Sequence, residues 1–149
     1  MTDQGTYWLE ARDKPGLLSA MMNKLAGDAH ISFEGNLSSC NFLGVRGTTG
    51  EEVHGLKRQT SFPRLDFAVM PLDPDTVKPI LQQILTGGRV VHDVVHVQIA
   101  KHGQLVFGAY DNFHPDCIFA GPGIAETLLQ ELVTRGILKS FEVAKERGV

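Results

Sequence analysis

Residues 111–117 read Asp-Asn-Phe-His-Pro-Asp-Cys, the densest run of side chains able to move protons, attack carbon or hold a metal. A thiolate at Cys117 would be the nucleophile, and an imidazole three residues earlier, at His114, favours that ionised form. His114, Asp116 and Cys117 also offer donors for a soft divalent metal, given one further histidine. The same letters are equally turn chemistry, since Asp-Asn and His-Pro-Asp favour tight reversals and cysteine is most often buried and inert. His92 and His96 form a second candidate pair. Valines at 91, 95 and 97 with Ile99 alternate as in a strand, which sets the two rings about 13 Å apart on one face. One metal with ligands near about 2 Å does not bridge that gap, so polar sheet surface is the expectation there. A third candidate is Asp13-Lys14-Pro15-Gly16-Leu17. Proline in a first helical turn loses no hydrogen bond, and the free N–H groups behind it form a cradle for a carboxylate. Lys14 would add positive charge, and Asp13 would either meet an amine or cap the helix.

The elements that hold these residues follow from periodicity. Tyr7, Leu9 and Ala11 alternate with Trp8, Glu10 and Arg12, the pattern of a half-buried strand. Leu17, Leu18, Met21 and Leu25 then recur at helical spacing up to Gly27. Residues 30–40 alternate again, with Ile31, Phe33 and Leu37 opposite Ser32, Glu34, Asn36 and Ser38. Residues 44–63 form a long polar connection carrying Arg46, Lys57, Arg58 and Arg64 around it, with one short helical turn expected within 51–59. A connection of about 20 residues in a compact domain is functional or mobile. A strand at 65–70, a helix at 77–85 capped by Thr76, and a strand at 89–101 follow. A hairpin at 101–103 leads into a strand at 104–110, then come an apolar run at 118–120, a helix from about 121 to Gly136, a strand at 137–143 and a frayed tail at 144–149.

Strand–helix–strand–strand–helix–strand over residues 6–100 is the ferredoxin-like, split βαβ plan. The run Leu9-Glu10-Ala11-Arg12-Asp13-Lys14-Pro15-Gly16-Leu17-Leu18, with Ala29-His30-Ile31 opening the next strand, resembles the ACT domain. The resemblance is closest over residues 6–38 and topological over 64–100. It implies a ferredoxin-like βαββαβ sandwich, a regulatory or sensor role, a small carboxylate ligand such as an amino acid, and a homodimer. The implied ligand residues are Asp13, Lys14, Pro15, Gly16, Leu17 and His30, the last standing where the family usually has asparagine. The expected organisation is an α+β domain at 6–100, with the insertion at 44–63, and a C-terminal β-α-β extension at 101–149 packed on it.

Composition narrows the function classes. The 149 residues carry a net charge of −3, which argues against a nucleic-acid binder. No apolar run reaches the roughly 20 residues of a membrane span, and residues 1–6 lack the basic-then-apolar pattern of a secretion signal. Cys40 and Cys117 stand far apart in sequence, as expected of reduced thiols in the cytoplasm. No nucleotide-binding glycine loop or serine elbow is present; Gly121-Pro122-Gly123 is too short for the former. The expectation is therefore a cytoplasmic binding module without catalysis or cofactor, with no nucleic-acid or membrane partner. The rival is a small enzyme or metal protein centred on His114, Asp116 and Cys117.

Overall fold

The computed structural model describes residues 5–42 and 44–144. The strands are β1 (Tyr7–Ala11), β2 (Ala29–Gly35), β3 (Asp66–Leu72), β4 (Val94–Lys101), β5 (Gln104–Ala109), β6 (Ile118–Ala120) and β7 (Leu138–Val143). The helices are α1 (Lys14–Leu25), α2 (Val77–Leu85), the single turn α3 (Arg89–His92) and α4 (Glu126–Thr134). All seven strands join one sheet in the order β3-β2-β4-β5-β6-β1-β7, with every neighbouring pair antiparallel. The fold is α+β.

The order differs from a ferredoxin-like unit built on the first four strands, which would set β1 beside β4. Here β1 lies between β6 and β7, so the strands before and after residue 101 share one sheet. Ladder length accounts for the choice. β4 pairs with β2 along the whole of β2, from Ala29↔Lys101 to Gly35↔Val94, and β3 takes the other edge of β2 from Ala29↔Leu72 to Gly35↔Asp66. The five-residue β1 offers a shorter ladder than either. Its apolar side instead matches Ile118 and Ala120 on β6 and Phe141 and Val143 on β7. The crossover from β1 to β2 therefore passes three strands, about 19 Å laterally, and the 12-residue α1, about 18 Å long, covers most of it.

Asp13 caps α1 by accepting the Gly16 N–H at 2.9 Å, Pro15 occupies the first turn, and Leu17, Leu18, Met21, Met22 and Leu25 are buried. That stripe packs with Ile80 and Ile84 of α2 and Leu129 and Leu132 of α4 onto one sheet face. The facing row runs Met70, Ile31, Ile99, Phe107, Ala120, Tyr7 and Val143.

Among the described residues, the opposite face carries no helix. One row crosses it as Val69, Ser32, Gln98, Gly108, Phe119, Trp8 and Glu142. Residues 44–63 lie over its β3-β2-β4 half as a strap. Thr49 bridges to Val69, and Leu56, wholly buried, joins Phe67, Val69 and Ala100 in a second small core. The β5-β6-β1 half has no such cover among the described residues.

Several local expectations are corrected. The strand expected at 30–40 ends at Gly35, because a register shift there brings the Asp93 carbonyl within 2.3 Å of where a Cβ would sit. The strand expected at 89–101 is divided. Gly87 and Gly88 take left-handed backbone (φ 64° and 73°), and 89–92 coil into α3 before β4 begins at Val94. His92 and His96 therefore sit on different elements. The strap forms a bridge between Val53 and Leu56 in place of a helical turn. Thr76 does not cap α2 with its side chain; its hydroxyl donates to the Pro71 carbonyl and accepts the Asp73 N–H. Pro79 is tolerated because the first helical turn has no intrahelical use for its N–H. α4 starts at Glu126 rather than near 121, and Gly136 (φ 77°) ends its last turn. The tail expected to fray lies, beyond Ala144, outside the described residues.

Candidate functional site

Asp13 and Gly16 line a hollow of about 430 Å³ between α1 and α4, completed by Ser19, Ala20, Asn23, Leu128, Arg135 and Ile137. The chain closes its base where the Arg12 and Asp13 N–H groups both donate to the Ile137 carbonyl. Asp13, Ser19, Asn23 and Arg135 thus bring polar side chains to the lining of a space of small-ligand size, with Arg135 Nη1 also donating to Glu131 Oε2 on α4 at 3.3 Å. Asp13 is partly spent on its capping bond. Gly16 is required there, since a Cβ would lie 2.4 Å from the Asp13 carboxylate. The remaining expected ligand residues fall elsewhere. Lys14 Nζ reaches away to donate to Asn112 Oδ1 at 2.8 Å, and Leu17 is wholly buried in the core. Pro15 is absent from the hollow's lining. His30 lies near the start of β2, with three strands between it and β1 and about 19 Å of sheet width separating them, so the fold does not bring it to Asp13.

The 111–117 run forms a tight turn instead of a dyad. Asp111, Asn112 and Phe113 all have left-handed backbone, at φ 51°, 56° and 59°. That strain is held by Asn112, whose side-chain amide donates to the carbonyls of Val90 and Val94 while its N–H donates to Val95. His114 Nδ1 accepts the Asp116 N–H at 3.2 Å, and Cys117 Sγ lies 3.8 Å from Asp111 Oδ2 rather than against His114. Among the described residues no three His, Cys, Asp or Glu side chains are grouped as a metal site. The turn supplies neither the thiolate–imidazole contact nor the ligand set that its letters suggest.

The sheet face under the strap holds a site that sequence reasoning missed. Ser32, Glu34, His96 and Gln98 alternate outward from β2 and β4 and read as solvated polar surface, yet each is at most 5% exposed. Glu34 Oε1 accepts the Gln59 N–H at 2.8 Å, and Oε2 accepts the Thr60 N–H at 3.1 Å. Gln98 Nε2 donates to the Lys57 carbonyl at 2.7 Å, while its Oε1 accepts from the Tyr110 hydroxyl at 3.3 Å. His96 joins two segments: Nδ1 accepts the Asp111 N–H at 3.2 Å, which leaves the proton on Nε2, 2.8 Å from the Thr60 hydroxyl. Arg58, part of the basic patch noted in the sequence, donates to the Leu65 carbonyl and stacks 4.9 Å over Phe67. The sequence carried half of the signal, a long strap without its own structure that needs polar anchors; that β2 and β4 adjoin and present four of them is a tertiary fact. Their satisfied bonds make this an anchorage for the strap.

Burial pushes the Tyr110 phenol above its ordinary value. Burial also raises the Cys40 thiol, with Arg89 opposing and Asp93 reinforcing the shift. Both cysteines are free thiols, and no helix among the described residues is long and apolar enough to cross a membrane. The chain matches no protein-family model, no curated protein and no solved structure.

Proposed function

We propose that the chain is an ACT-like sensor or regulatory module that binds a small carboxylate, such as an amino acid, in the hollow between α1 and α4. The observation that carries the reading is the meeting there of Asp13, at the entrance to α1, with Arg135, from the end of α4. A guanidinium is suited to a carboxylate, and the N-terminal end of the α1 dipole adds positive potential. Asp13 Oδ2 is available to an ammonium group because the cap uses Oδ1.

The sheet order supports a ferredoxin-like plan carried by other strands than the sequence suggested. The run β7-β1-β6-β5, with α1 leaving β1 and α4 joining β6 to β7, is a βαββαβ unit in which β2, β3, α2 and β4 form an insertion between α1 and β5. The reading includes a homodimer formed through the helix side, where Val77, Leu81 and Leu85 line an open hollow of about 590 Å³. It includes a reducing compartment, the cytoplasm, which suits two free thiols.

A thermal-shift screen of the twenty amino acids tests it. An amino acid at 100 times its Kd stabilises the folded state by about 2.7 kcal/mol, which raises Tm by roughly 5–10 °C for a chain of this size. Arg135→Gln should remove the shift, and Asp13→Asn, which retains a capping oxygen, should weaken it. A flat screen, or a shift that survives Arg135→Gln, refutes the reading.

A further inference from the structure

Asp111, Asn112 and Phe113 are the one succession of left-handed non-glycine residues among the described residues. Side chains with a β-carbon disfavour that backbone, so such a turn persists only while its surroundings hold it. Contacts on three sides do so. Phe113 is buried in the main core. Asn112 is bound by its amide to Val90 and Val94, and its Oδ1 accepts from Lys14 Nζ at 2.8 Å. The Asp111 N–H donates to His96 Nδ1, and the hydroxyl of the preceding Tyr110 donates to Gln98 Oε1. His96 and Gln98 are also the side chains of β4 that hold the strap, at the Thr60 hydroxyl and the Lys57 carbonyl. The turn therefore stands between the first residue of α1 and the strap. Topology puts it there: β1 and β5 both run antiparallel to β6, and β4 runs antiparallel to β5. The ends of β1 and β5 and the start of β4 thus lie together, although 98 positions separate Lys14 from Asn112.

We propose that this turn is a relay coupling the entrance of α1 to closure of the strap, with Lys14 as its positioning residue. While Lys14 holds Asn112, the turn stays left-handed and presents the Asp111 N–H and the Tyr110 hydroxyl to His96 and Gln98. Without that bond the strain is opposed by fewer contacts, the turn relaxes, and both routes to the strap loosen together. A bond from a charged donor is strong enough to matter in this balance, and it is partly buried. Left-handed and right-handed backbone are separate wells, so the turn switches between arrangements instead of deforming by degrees. Asp13, next to Lys14, lines the α1–α4 hollow on the helix side of the sheet. A molecule held in that hollow would act through the relay on the strap across the sheet. That last consequence rests on the binding reading above; the coupling from Lys14 to the strap does not.

Hydrogen exchange of the full chain without added ligand, read by mass spectrometry, tests the relay. Lys14→Met keeps the aliphatic stem and removes the donor. Exchange should speed up at residues 110–114 and, by about fivefold, at 57–60, while residues 17–25 and α2 stay as they are. Lys24→Met, at an exposed lysine in the last turn of the same helix, should change none of these. In a chain carrying Thr60→Val and Tyr110→Phe, both routes from the turn to the strap are cut and 57–60 already exchange fast. Adding Lys14→Met there should have no further effect on the strap, yet should still speed 110–114. Unchanged exchange at 57–60 in Lys14→Met would overturn the proposal, and so would an undiminished effect on the strap in the doubly cut chain. Equal acceleration of residues 17–25 would overturn it as well, since the loss would then be one of general stability. No ligand enters these measurements, so a flat thermal-shift screen leaves the relay standing, and a failed relay leaves the binding reading standing.

Discussion

Replacing Glu34 by glutamine tests the strap's anchorage at its strongest point. The carboxylate is 1% exposed and accepts two successive backbone N–H groups, from Gln59 and Thr60. Glutamine preserves the shape and one acceptor, but turns an NH₂ toward the other N–H. One buried donor is left unsatisfied and faces another donor, a loss of about 2–3 kcal/mol for a bond made to a charged group. Gln98 to Lys57, His96 to Thr60 and the buried Leu56 still hold the strap, so the loss should appear as local opening. At 1.4 kcal/mol per decade, hydrogen exchange at residues 57–60 should accelerate roughly 30- to 140-fold. Exchange in α1 and in the helix-side residues of β4 should change far less. Mass spectrometry of peptides covering 53–62 and 14–25 separates the cases. Unchanged exchange at 57–60 would refute the reasoning, and so would equal acceleration in α1, which would mean that strap and main core open as one unit.

Two further outcomes follow from backbone approach and from burial. Gly35→Ala should destabilise the fold by about 2–3 kcal/mol in urea denaturation, because its Cβ would meet the Asp93 carbonyl at 2.3 Å and backbone atoms must shift. Gly44→Ala, with nothing within 4 Å of the added carbon, should move the midpoint by less than about 0.5 kcal/mol. Tyr110, with its phenol raised by burial above the ordinary value of 10.0, favours the folded state below that value. This stabilisation is lost as pH rises through the unfolded value toward the higher folded one. Stability should therefore fall in the alkaline range, and Tyr110→Phe should flatten the fall. A fall of the same steepness in the variant would locate its cause elsewhere.

Much of the local structure was legible in the residues. The alternation of Tyr7, Leu9 and Ala11, the Asp13 cap with the apolar stripe of α1, and the Lys101-His102-Gly103 turn all correspond to observed elements. Strand partners were not legible. Alternation tells which face of β1 is apolar, but nothing in its five residues indicates that Phe141 and Val143, more than 130 positions later, will lie beside Leu9 and Tyr7. The pair Gly87-Gly88 could be read as a helix stop. That the chain coils again through His92 depended on left-handed geometry at both glycines.

The candidate sites divide along the same line. The entrance to α1 was visible because its cap, proline and glycine are consecutive, and local backbone chemistry is written over short spans. Arg135 was not, because it lines the same hollow as Asp13 only when α4 packs beside α1. Glu34, His96 and Gln98 carry identical polarity whether solvated or buried, and only the strap laid across them decides which.

By itself, then, the sequence determined most of the elements, their apolar stripes and much of the turn chemistry between them, since these depend on neighbours within a few residues. Tertiary structure alone decided which strands adjoin, which sheet half is covered, and which distant side chains share a hollow. Those outcomes rest on the competition of whole ladders and packed faces for partners, a property of the folded chain taken together.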